Sequence, residues 1–93
     1  PMTRYTYQHL LELVDGDDEL IARLVEEGEI VRRDDGDIVR VDVERVLVAR
    51  TLYRELEIDW NGIEVILRLR DELADARKRI EQLESGVRDK GGM

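Results

Sequence analysis

From Ile66 to Val87 the chain reads Ile-Leu-Arg-Leu-Arg-Asp-Glu-Leu-Ala-Asp-Ala-Arg-Lys-Arg-Ile-Glu-Gln-Leu-Glu-Ser-Gly-Val. Its apolar residues Ile66, Leu69, Leu73, Ala76, Ile80, Leu83 and Val87 fall at alternating steps of three and four. That is a heptad seam, with Ile66, Leu73, Ile80 and Val87 in one register and Leu69, Ala76 and Leu83 in the other. Charged residues flank it, among them Arg70, Glu72, Arg77, Arg79 and Glu84. No glycine or proline interrupts the stretch from Ile63 to Ser85. A helix over residues 60–85 would be about 39 Å long at ~1.5 Å per residue. The rest of a 93-residue chain makes a head too small to lie along all of it. A second copy is the simplest cover, so a homodimer through Ile66, Leu69, Leu73, Ala76, Ile80 and Leu83 is expected.

Upstream, Tyr7, Leu10, Leu11 and Val14 make one helical face, with Thr6 as its N-cap and Asp15-Gly16 as its end. Leu20, Ile21, Leu24 and Val25 make a second face after Asp17, and Gly28 closes it. Asp18 and Glu19 suit the positive end of that helix. Residues 29–33 and 38–41 are two β-branched runs around Asp34-Asp35-Gly36-Asp37, which reads as a hairpin. A third helix runs from the cap Asp42 to about Leu56, with Val43, Val46, Leu47, Tyr53 and Leu56 available for its core. Asp59 precedes Trp60, the one tryptophan, which reads as an anchor between the long helix and the head. The expected fold is mainly α: a winged helix-turn-helix head with a short β-hairpin wing over residues 1–58, a long coiled-coil-type helix over 59–87 for dimerisation, and a flexible tail over 88–93. Pro1 before Met2 reads as a cloning remnant.

The chain carries 23 acids against 15 bases, a formal charge of −8. Ten of the acids and three of the bases lie between residues 15 and 37, which leaves −7 there. The second helix offers one base, Arg23, among carboxylates, and Arg32, Arg33 and Arg40 in the wing are the nearest compensation. A helix of that charge is repelled by phosphates, so DNA binding is disfavoured and a partner with a basic face is favoured. The plain alternative is a solvated acidic face with no partner.

No chemistry of an enzyme is legible. There is no cysteine, and the single histidine, His9, has no Ser and Asp placed with it as a triad. The acidic clusters lack the ligand order of a calcium loop: the sixth position counted from Asp15 is Leu20, where glycine is required. No glycine loop for phosphate is present. Neither a metal nor a cofactor is expected. No apolar run approaches the ~20 residues of a membrane span or forms a signal-peptide core, so a cytoplasmic protein without membrane attachment is expected.

The order helix, turn, helix, wing, helix, long helix resembles the MerR-type winged-helix architecture, with Leu24-Val-Glu-Glu-Gly-Glu-Ile-Val31 at the junction of second helix and wing. The stretch from Arg54 to Leu67 resembles more narrowly the CbpM-like chaperone modulators, through Leu56, Asp59, Trp60, Gly62, Ile63, Val65 and Leu67. The likeness covers about residues 5 to 85, and Asp-Trp-x-Gly-Ile is its specific part. It implies a non-enzymatic modulator that binds the J-domain of a DnaJ-type, CbpA-like co-chaperone and inhibits it by masking its encounter with DnaK. J-domains present a basic helix, which an acidic competitor suits. The surface expected to make that contact is the exposed side of the second helix, with Asp18, Glu19, Arg23, Glu26 and Glu27. The alternatives are a dimeric MerR-type winged-helix transcription regulator that binds DNA and a scaffold whose work is only to dimerise.

Overall fold

The computed structural model describes residues 1–33 and 36–91, with the side chains of 89–91 outside the description. The chain divides into two compact units, Pro1–Asp59 and Trp60–Met93. It is mainly helical, with one small antiparallel sheet in the first unit and a single long helix in the second.

In the first unit the order is β1 (Thr3–Thr6), α1 (Tyr7–Leu13), α2 (Asp18–Glu26), β2 (Ile30–Arg32), β3 (Ile38–Val41) and α3 (Val43–Arg50), followed by a π-helical turn over Thr51–Glu55. Each α-helix starts on the cap its sequence announces. The Thr6 hydroxyl accepts from the His9 amide at 3.1 Å, the Asp17 carboxylate from Leu20 at 3.0 Å, and the Asp42 carboxylate from Arg45 at 3.4 Å. Such a cap satisfies one of the four amides that a helix start leaves without a partner, and contributes about 1 kcal/mol.

The helix ends share a second device, a residue in the left-handed region just past the cap. After α1 that residue is Asp15 (φ 55°), and the Gly16 amide reaches back to the Leu11 carbonyl at 2.8 Å. After α2 it is Gly28 (φ 76°), and the Glu29 amide reaches the Leu24 carbonyl at 2.9 Å. Both are Schellman closures. The third, Glu57 (φ 52°), follows the π-helical turn, and its returning bond, from the Ile58 amide to the Leu52 carbonyl at 2.9 Å, spans one residue more. The expected end at Asp15-Gly16 is therefore correct in place, and Gly16 is left-handed as expected (φ 75°), with Asp15 before it left-handed as well.

The strands lie in the order β1-β3-β2, all antiparallel, with Arg4 opposite Arg40 and Val31 opposite Arg40 on its other side. β2 and β3 are the expected hairpin; Asp34 and Asp35 of its turn lie outside the described residues. β1 is a strand that the sequence reading left without an element. Alternation along the sheet sends Ile30, Val39 and Val41 inward, where they join Leu10 and Val14 of α1, Leu20, Ile21 and Leu24 of α2, and Val46 and Ala49 of α3, all essentially buried. Each fully buried aliphatic side chain of this size contributes about 1.5–3 kcal/mol.

The third helix departs from expectation on its buried face. Val46 is buried and Val43 half-buried, but Leu47, Tyr53 and Leu56 are exposed, and Ala49 and Leu52 are buried in their place. An α-helical period extrapolated past residue 50 fails because the backbone widens at Thr51, where the Leu56 amide bonds to the Thr51 carbonyl five residues back at 3.1 Å.

The second unit is α4, Trp60–Gly91. At ~1.5 Å per residue its 32 residues span about 48 Å. It continues through Gly86 to Gly91, so residues 88–91, expected as tail, are helical; 92 and 93 lie outside the described residues. A glycine in a helix interior costs about 1 kcal/mol and does not by itself end one.

Candidate functional site

The outer side of α2 and its C-cap carry the five residues expected to make the contact. Asp18, Glu19, Arg23, Glu26 and Glu27 are all exposed, while Leu20, Ile21 and Leu24 are turned inward. The helix period alone produces this separation. Arg23, the one base on the helix, lies between two carboxylates, 3.7 Å from Glu26 and 3.5 Å from Glu27. These are the one-turn spacings at which opposite charges meet on a helix surface, each worth a few tenths of a kcal/mol. Among the described residues neither Asp18 nor Glu19 forms an ion pair. Their carboxylates lie in the first turn, where the helix dipole favours them.

Not all of the acidity counted between residues 15 and 37 reaches the surface unpaired. The Asp15 carboxylate is 3.2 Å from the Arg50 guanidinium and 3.4 Å from that of Arg54. Both arginines also donate to backbone carbonyls at the end of α1, Arg50 to Leu13 at 3.0 Å and Arg54 to Val14 at 3.3 Å. Two cations thus close a helix C-terminus, where the dipole is negative. Glu29, directly after the closure of α2, is gripped by Arg45 of α3 through two bonds of 2.7 Å, from Nε and from an Nη, with both side chains less than a quarter exposed. Arg45, Arg50 and Arg54 all come from beyond residue 37 and lower the local excess of seven negative charges to four. Among the described residues of this stretch, the exposed carboxylates that these arginines do not take up are Asp18, Glu19, Glu26 and Glu27, on α2 and its cap, and Asp37.

Sequence reasoning did not find these three arginines. They act across separations of 16 to 40 residues, and nothing in local spacing marks them. It also missed the partner of Arg40. The outer face of the sheet sets Arg4 directly opposite Arg40, an unfavourable like-charge neighbour, beside exposed Val31. Arg32 is used differently: its guanidinium stacks over the Tyr7 ring at 4.6 Å and donates to the Gly36 carbonyl at 3.4 Å. His9 is exposed, with its ring edge-on to Tyr5 at 5.4 Å. Among the described residues no three His, Cys, Asp or Glu side chains are grouped to hold a metal ion, and no helix is long and apolar enough to cross a membrane.

The seam residues of α4 run along one side of the helix. Ile66 is half-buried, whereas Leu69, Leu73, Ala76, Ile80 and Leu83 are exposed, as is every described side chain from Arg68 to Arg88. Ile63 and Leu67 are buried and Trp60 half-buried.

No protein-family model, no curated protein and no solved structure matches this chain.

Proposed function

We propose that the chain is a non-enzymatic modulator that binds the J-domain of a DnaJ-type, CbpA-like co-chaperone and blocks that domain's encounter with DnaK. In this reading the first unit is a MerR-like winged helix-turn-helix head, α4 joins two copies, and the protein works in the cytoplasm. The observation that carries the proposal is the outer face of α2: four exposed carboxylates around one arginine already held by two of them. A basic helix laid on that face gains charge complementarity and meets no opposing base that is not already neutralised. No bond is made or broken; inhibition is by occupancy.

The test is calorimetric titration with the J-domain of a DnaJ homologue from the same organism, at low and at moderate salt. Saturable binding that weakens with added salt is the expected result. No heat of binding at either salt refutes the proposal.

A second reading, a winged-helix DNA regulator, has one observation in its favour, the Arg4 and Arg40 side chains set together on the outer face of the sheet. It predicts binding to duplex DNA that falls steeply with salt. The net charge of −8 and the carboxylates of α2 oppose it.

A further inference from the structure

We infer that Arg23 sets the specificity of the α2 face, selecting a partner helix whose charges run base, acid, base over one that is basic throughout. The inference rests on the α2 face as the binding surface of the proposed function and adds what a partner must carry to use it.

The pattern follows from helical period. Residues four apart lie one above another on a helix, so the outer side of α2 and its cap consists of two rows. These are Asp18–Ala22–Glu26 and Glu19–Arg23–Glu27, and all six side chains are exposed. Each row opens and closes on a carboxylate. At ~1.5 Å per residue the two acidic ends are about 12 Å apart. Between them stand Ala22, the smallest side chain of the face, and Arg23, its one cation. A second helix laid along α2 can therefore come closest at the middle, where Ala22 leaves room and Arg23 is the charge it meets.

The two acidic ends are unequal. Asp18 and Glu19 lie in the first turn, where the helix dipole favours them, whereas Glu26 and Glu27 stand at the negative end. Arg23 leans toward that second end, 3.7 Å from Glu26 and 3.5 Å from Glu27. A base placed before its acid is the weaker order for a pair on a helix; the better one, acid four residues before base, is the relation of Glu19 to Arg23. The contact is also open to water, with the Arg23 side chain 46% and that of Glu26 69% exposed. It is easily exchanged. A partner's base brought to Glu26 and Glu27 takes over the part played by Arg23, whose guanidinium then faces the incoming helix.

What that guanidinium meets separates one partner from another. A helix that is basic throughout sets a cation against it, a repulsive contact. A helix with a carboxylate one turn from each of its bases receives it in a charge-assisted, fork-shaped bond. One unit charge at contact distance in water changes an equilibrium constant about fivefold, so a discrimination of about that size is expected.

Two alanine-based helical peptides of one composition make the test. The first carries two lysine pairs two turns apart with a glutamate midway. In the second the glutamate is moved to one end and a lysine pair takes the middle place. Each is titrated at low salt into the isotopically labelled protein, and affinity is read from the amide shifts of α2, which report millimolar binding as well as tighter. The unmodified protein is expected to bind the first peptide about fivefold more tightly. In Arg23→Gln the preference is expected to fall below about twofold, and in Arg23→Glu to reverse. Unchanged amide shifts in β3 and α3 verify that both variants keep the fold. Equal affinity of the unmodified protein for the two peptides overturns the inference, as does a preference that survives in both variants, or an absence of shifts in α2 with either peptide. The J-domain titration is decided separately. Discrimination of the peptides without J-domain binding removes the proposed partner and keeps the role of Arg23; J-domain binding without discrimination does the reverse.

Discussion

Glu29 and Arg45 give the sharpest test of how the first unit is held together. The pair joins the residue that follows the α2 closure to the first turn of α3, 16 positions away. Its geometry is two-pronged, with both donors at 2.7 Å, and the side chains are 22% and 23% exposed. An exposed ion pair contributes about 0.2–1 kcal/mol, because water screens the attraction and two long side chains must be ordered. Hydrogen bonds to a charged group contribute about 1.5–3 kcal/mol. Here the planar guanidinium matches the carboxylate without further ordering, and partial burial limits screening without stripping either ion of water. A coupling of about 1–2 kcal/mol follows. The measurement is a double-mutant cycle with Glu29→Ala, Arg45→Ala and the double variant, by urea unfolding followed through Trp60 fluorescence. The cycle cancels the packing lost with the arginine's methylenes. A coupling below about 0.5 kcal/mol, or one abolished in 1 M salt, would place the pair with ordinary surface contacts and refute the reasoning.

Glu57→Gly is expected to stabilise the protein by about 0.5–1 kcal/mol in the same assay, since a left-handed backbone is costly for any residue with a Cβ. Asp15→Gly is expected to give no such gain, because it removes the carboxylate shared by Arg50 and Arg54; equal gains at both sites would show that this cluster contributes nothing. Replacing Glu26 and Glu27 together by lysine is expected to weaken J-domain binding about tenfold or more with an unchanged circular dichroism spectrum, and unchanged affinity would place the contact elsewhere. Leu73→Arg is expected to yield monomers in sedimentation. Ala76→Leu is expected to tighten the dimer by filling the smallest layer of the seam, and no change in either variant would put the interface on another surface.

Much of this architecture is legible from short-range chemistry. Thr6, Asp17 and Asp42 announce helix starts because a side-chain oxygen three residues ahead of an amide is a local relation, and the hairpin strands are legible because β-branched runs flank a turn. What was not legible depends on distant residues meeting. Thr3–Thr6 becomes a strand only because β3, some 35 positions later, offers it an edge. Past residue 50 the third helix leaves the α-helical period because the backbone widens at Thr51, and no propensity marks that position. At the candidate site the exposed face of α2 followed directly from helical period and charge. The withdrawal of Asp15 and Glu29 from the acidic surface did not, since their partners are Arg45, Arg50 and Arg54, in or just after the third helix.

The strand order also constrains how the protein is made. β3 lies at the centre, and β1 can be placed only against it, through Thr3 and Val41 at the far end of the register. On a ribosome, β1 therefore emerges first and waits while both intervening helices and the hairpin are synthesised. The hairpin closes over a short loop, but docking β1 encloses the 31 residues between Thr6 and Ile38 and comes later. Until then one edge of β3 is bare, with unpaired amides and carbonyls offered to any extended chain nearby. The vulnerable period of this small protein falls between the appearance of Val41 and the return of Thr3.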